Sequence, residues 1–132
     1  MAHTSLTPRF VQVQNPVEDL AQELHDKGHY ARAVVVTKKA LEVAEKNVGP
    51  HHPDVATILN NLAELYRDQG HYALAEPLYK RALAIVGKAL GPDHPDVAAG
   101  LNNLALLYHT QGQYAVAEPL YKRALAIKEK AL

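Results

Sequence analysis

The sequence predicts an all-α chain in which three helical hairpins stack as an α-solenoid, a segment of right-handed superhelix. Three observations carry that expectation. Gly28-His29-Tyr30 returns as Gly70-His71-Tyr72 and again as Gly112-Gln113-Tyr114, a period of 42 residues. Within each period the apolar residues recur at helical spacing rather than alternating as in a strand. Glycine and proline fall at the ends of those stretches, where helices stop and start. The repeat divides the chain into units of about 7–48, 49–90 and 91–132, with a leader at 1–14 and a repeat domain at 15–132. The second and third units agree at 32 of 42 positions and the first and second at only 14 of 42, so the first unit is the divergent one.

Each unit reads as two helices, A and B. Asn15-Pro16-Val17-Glu18 supplies a cap, a proline at the first helical position and a glutamate at the third, which opens helix A of the first unit over 15–27. Its helix B follows over 30–47. In the second unit Pro53 and Asp54 suit a helix N-terminus, and Val55, Ile58, Leu59, Leu62, Ala63, Leu65 and Tyr66 carry the helix to about residue 69. Gly70 ends it. Tyr72, Ala75, Leu78, Tyr79, Ala82, Leu83 and Ile85 mark a helix over 72–89, closed by Gly91-Pro92. Pro77 lies so near its start that it removes at most one helical bond. The third unit repeats the pair over 95–111 and 114–131, with Pro119 in the place of Pro77.

Small residues recur where helices must come close: Ala21, Ala63 and Ala105 on the A helices, then Ala33, Ala75 and Ala117, and Ala40, Ala82 and Ala124, on the B helices. Alanines on facing helices allow axes near the short end of the usual packing distance. Leu20, Leu62 and Leu104, Tyr66 and Tyr108, and Tyr79 and Tyr121 fill the space between. One such hairpin cannot bury its own apolar face, whereas a stack of three can.

The second and third units carry a specific resemblance. The run N-L-A-x-L-Y-x-x-Q-G-x-Y-x-x-A-E-P-L-Y-K-R-A-L, present from Asn61 and again from Asn103, resembles a tetratricopeptide repeat. The 42-residue period and the linker G-P-x-H-P-D-V-A, at Gly49 and Gly91, resemble the kinesin-light-chain type. Residues 49–132 match closely. Residues 15–48 match through Gly28, Tyr30, Ala33, Ala40 and Leu41, and lack the asparagine pair and the H-P-D linker. The proline that closes helix B in ordinary repeats of this family is replaced by Glu45, Gly87 and Glu129, which implies a longer helix B. The resemblance implies a non-catalytic scaffold that binds a peptide or protein partner in a concave groove lined by the A helices.

On the A helices the residues opposite the apolar face are Thr57, Asn60, Asn61, Glu64, Arg67 and Asp68 in the second unit. In the third they are Ala99, Asn102, Asn103, Leu106, His109 and Thr110, and in the first Asn15, Glu18, Asp19, Gln22, His25 and Asp26. From these the candidate groove residues are Asn60, Asn61, Glu64, Arg67, Asn102, Asn103, Leu106 and His109. An asparagine side chain both donates and accepts, so it can pair with a peptide backbone in either register, or it can brace neighbouring A helices instead. The stripe is acidic. Relatives that clamp a C-terminal carboxylate use basic residues here, and the kinesin-light-chain groove favours acidic cargo, so a neutral or mildly basic peptide suits this chain better.

The alternative to a binding module is a structural spacer or self-assembling piece of a longer array. Tyr114, Val116, Leu120 and Tyr121 belong to the face that a fourth unit would cover, and they are the expected self-association surface, as a homodimer or by head-to-tail stacking. On the B helices Lys38-Lys39, Lys80-Arg81 and Lys122-Arg123 form a basic ladder that Glu42, Glu76 and Glu118 can balance at helical spacing.

Composition excludes other classes. Lysine plus arginine and aspartate plus glutamate are 14 each, which argues against a nucleic-acid binder or a polybasic membrane anchor. No apolar run approaches a membrane span, and the start is no signal peptide, so a cytoplasmic location is expected. With no cysteine there is no disulfide, thiolate metal site or cysteine nucleophile. Serine occurs once, at Ser5, and no phosphate loop, nucleophile elbow or H-E-x-x-H is present, so no enzyme and no cofactor is expected. His25 with His29, His51-His52-x-Asp54 and His94-x-Asp96 have poor spacing for a metal. The repeating turn histidines suit a capping role, and no metal site is expected.

Overall fold

A computed structural model describes residues 17, 19–22 and 28–132. The expected leader, and Asn15, Glu18, His25 and Asp26, lie outside the described residues. Val17 and residues 19–22 are helical. Five helices follow: α1 (Tyr30–Val48), α2 (Pro53–Asp68), α3 (Tyr72–Leu90), α4 (Pro95–Thr110) and α5 (Tyr114–Ala131). Each packs on its neighbours in order, α2 most closely on α3 and α4 on α5, so the hairpin is the unit and the units stack. The described residues contain no strand.

The punctuation read in the sequence has a defined geometry. His52 and His94 are the caps of α2 and α4, each ring Nδ1 accepting a hydrogen bond from the backbone N–H of Asp54 or Asp96 at 3.0 Å. Proline follows each cap, where its missing N–H costs nothing. At the other end of α2, Gly70 at φ 81° lets its own N–H reach Arg67 O at 2.9 Å while the N–H of His71 reaches Tyr66 O at 2.8 Å. Those are the two bonds of a Schellman closure, and Gly112 repeats them with His109 and Tyr108. Pro77 and Pro119 sit inside α3 and α5 without ending them.

We expect His52→Ala and His94→Ala each to lose about 1 kcal/mol of stability, the ordinary worth of an N-cap. Urea melts of the two variants check this, and midpoints equal to that of the parent would show that the imidazoles do not cap.

The core runs down the stack as three joined clusters. Val55, Ala56, Leu59, Ala82 and Ile85 form the second unit's own. Val97, Ala98, Leu101, Ala124 and Ile127 form the third's. Between them Ala63, Ala75, Tyr79, Leu104, Ala105, Leu107, Tyr108 and Ala117 bridge the two units. Ala63, Ala75, Ala82, Ala105, Ala117 and Ala124 are all buried, as close helix crossings require. Gly100 marks another close approach: a Cβ there would stand 3.0 Å from Leu83 Cδ1. Polar ties add to the stack. The Arg81 guanidinium reaches Glu45 at 2.6 Å and Pro50 O at 3.3 Å, joining the first two units.

Candidate functional site

α2 and α4 bring the expected groove residues onto one side of the stack, but with uneven exposure. Asn61, Glu64, Leu106 and His109 are exposed, while Asn60, Arg67, Asn102 and Asn103 are half-buried. Arg67, the one arginine among the expected groove residues, is held down. Its Nε and Nη2 donate to Asp68 Oδ1 at 3.2 and 3.1 Å, and Nη2 also meets Glu64 Oε2 at 3.5 Å. Its side chain is only 19% exposed, so its charge is spent locally. Beneath it lies the Tyr79 ring. Burial pushes the Tyr79 hydroxyl up to about 12; Arg67 opposes the shift, and Glu64 and Asp68 add to it.

Position 37 was not singled out by the helical pattern, although the 42-residue register could have found it. Thr37 stands where the second and third units carry Tyr79 and Tyr121. The missing ring leaves a cavity of about 30 Å³ between the helical turn at 19–22, α1 and α2. Val17, Ala21, Ala40, Ile58 and Leu65 wall it, and Gln22, Asn61 and Glu64 supply polar edges. The Thr37 hydroxyl is buried there with no hydrogen-bond partner, and so is Asn60 Oδ1 on α2. Such orphans cost free energy until a donor or acceptor reaches them. The volume suits about two waters or the tip of one side chain.

The residues expected at the end of the stack divide into two groups. Tyr121 is 36% exposed where Tyr79 is 2%, so covering by a following unit is what buries this position. Tyr114 is also exposed. Val116 does not belong with them. Its equivalent Leu74 stays 52% exposed although a third unit follows it, so Val116 faces away from the stacking surface. Leu120 is half-buried against the third unit's own cluster and the one that bridges it to the second unit, and is largely used inside the stack. The open face instead includes Leu125, 57% exposed where Leu83 is packed against the third unit. His109 joins the two sites: its ring centroid lies 4.9 Å from that of Tyr114 and 6.5 Å from that of Tyr121. Together with Glu118 and Lys122 these rings line a hollow of about 430 Å³.

The basic ladder of the B helices is ion-paired at one residue or more in each unit. Lys80 meets Glu76 at 2.8 Å, Lys122 meets Glu118 at 3.7 Å and Lys39 meets Glu42 at 3.1 Å. Exposed pairs of this kind contribute little to stability, but they lower the ladder's net charge. Among the described residues no group of three or more histidine, aspartate or glutamate side chains could hold a metal ion. No helix of the described residues is long and apolar enough to cross a membrane.

A tetratricopeptide-repeat family model matches residues 16–88 and 54–130, which together span nearly the whole chain. The chain is a tetratricopeptide repeat protein. Its solved structural neighbours are of the kinesin-light-chain type. The chain is similar to BtubC (BKLC) from P. vanneervenii, at 31% identity and a TM-score of 0.78 over 84% of this chain and 44% of that one. It is also similar to a putative kinesin light chain with nearly identical repeats from Podosopora anserina, at 27% identity and a TM-score of 0.78 over 89% of this chain and 56% of that one. The chain therefore spans about half the length of these two proteins. No curated protein matches the chain. Tetratricopeptide repeats are in general protein–protein interaction modules, and the kinesin-light-chain-like scaffolds are in general non-catalytic.

Proposed function

We propose that this tetratricopeptide repeat protein is a non-catalytic scaffold that takes an extended peptide along the groove formed by α2, α4 and the turn at 19–22. Asn60, Asn61, Glu64, Arg67, Asn102, Asn103, Leu106 and His109 form its contact surface. The observation that carries this reading is the cavity beside Asn61 and Glu64. It combines apolar walls, a carboxylate at the edge and a buried Thr37 hydroxyl without a partner, which is an arrangement that a partner's side chain or amide satisfies. The acidic edge and the locked Arg67 favour a neutral or mildly basic peptide. Such a module has no need of a cofactor, and its work fits the cytoplasm.

Selection of binders from a peptide library, followed by titration of the parent and of the Asn60→Ala, Asn102→Ala double variant, tests the reading. The expected result is an affinity at least several-fold weaker in the variant, with an unchanged melting temperature. Equal affinity would move the site to the B helices or to the ends of the stack.

A further inference from the structure

The loop between α1 and α2 and the later turns of α3 enclose a hollow of about 340 Å³, and none of the groove residues lines it. Ala84, Ile85 and Ala89 form its apolar wall, and His51, Arg81 and Lys88 are its polar groups. All three can donate hydrogen bonds, and among the described residues that line it no side chain is acidic. Arg81 is fixed in place from one side. Its Nη2 donates to Glu45 Oε2 at 2.6 Å and to Pro50 O at 3.3 Å, while Nε and Nη1 have no hydrogen-bond partner among the described residues. The third unit repeats this corner with a carboxylate in it. Asp93 stands in register with His51 and Lys130 with Lys88, and Lys130 Nζ donates to Asp93 Oδ2 at 3.1 Å. The loop and the end of the B helix are therefore spaced to seat a carboxylate on that lysine. In the second unit a histidine replaces the carboxylate, and Lys88 has no ion-pair partner among the described residues.

We propose that this hollow binds an acidic side chain of a partner protein, a glutamate or aspartate next to a small aliphatic residue. The partner's carboxylate takes the place that Asp93 holds in the third unit. Lys88 supplies the charge, Arg81 Nε and Nη1 supply donors in the planar array that suits a carboxylate, and the His51 ring supplies a further N–H. The neighbouring aliphatic side chain covers Ala84, Ile85 and Ala89. A carboxylate is favoured over a phosphate because the chain itself seats a carboxylate at the equivalent position. The hollow is open to water, so binding weakens as salt rises. This site is independent of the groove reading.

The test titrates the intact, isotope-labelled protein at low ionic strength with acetyl-Ala-Glu-Leu-Glu-amide, with the same peptide carrying glutamine for glutamate, and with sodium phosphate. The expected result is saturable amide shifts centred on His51, Lys88 and Ala89 with the glutamate peptide and none with the glutamine peptide. His51→Asp, which copies the third unit, and Lys88→Gln each weaken binding by about tenfold or more, the worth of one charge-assisted hydrogen bond. Both side chains are exposed, so the variants keep the fold, which unchanged melting temperatures verify. The Asn60→Ala, Asn102→Ala protein binds the glutamate peptide as the parent does. Shifts that persist undiminished in His51→Asp, equal binding of the glutamine peptide, or saturation by phosphate without saturation by the glutamate peptide overturns the proposal.

Discussion

Tyr79→Ala is expected to destabilise the protein by about 3–5 kcal/mol, the range for removing a large buried aromatic side chain from a core. The ring is 2% exposed and joins two units, so its loss opens a cavity in the seam rather than within one hairpin. A solenoid's stability is a sum of unit and interface terms, and the damage therefore falls on the coupling of α2–α3 to α4–α5. A urea melt should show a lower midpoint and a broadened transition as cooperativity between units weakens. A loss below about 1 kcal/mol would mean that the seam closes around the vacancy. The first unit shows what such closing looks like. Thr37 occupies the same register, and the surrounding walls leave a cavity of only about 30 Å³. Arg67 and its carboxylate partners rest above Tyr79, so the variant should also loosen the Arg67–Asp68 contact.

Ala75→Leu is expected to cost about 1–3 kcal/mol by overpacking. Ala75 is 0% exposed and shares its cluster with Ala63, Ala105 and Ala117 as well as Tyr79. Three added carbons have no space to enter unless α3 moves away from α2 or α4. The thermal midpoint reports the cost, and a midpoint equal to that of the parent would contradict close packing at this crossing. Ala75→Ser, which adds one atom, should lie between the two.

Much of the fold was legible because the period made each helix testify for its counterpart. The expected bounds of α1 to α5 differ from those found by one residue or none, since histidine-proline starts fix the N-termini of α2 and α4 and glycine stops follow α1 to α4. The buried alanines were legible for the same reason. The sites were less so. Val116 reads as apolar and in register with a stacking face, yet only the solvent exposure of Leu74 reveals that this position points away from it. Arg67 reads as a free groove cation, but its charge is consumed by Asp68 and Glu64 through side-chain conformations that no spacing rule specifies. The Thr37 cavity arises from what one position lacks, so it shows only when the divergent unit is set beside its regular neighbours. The residues ahead of α1 carry weak periodicity, and there the pattern has little to fix.

If partners are read by α2 and α4, an amide chemical-shift map of the protein titrated with a library-selected peptide shows it most directly. The largest shifts are then expected at Asn60, Asn61, Leu106 and His109, with Thr37 moving as its hydroxyl gains a partner. Shifts confined to Lys38, Lys39, Lys80, Arg81, Lys122 and Arg123 would place the reading surface on the B helices and contradict the groove.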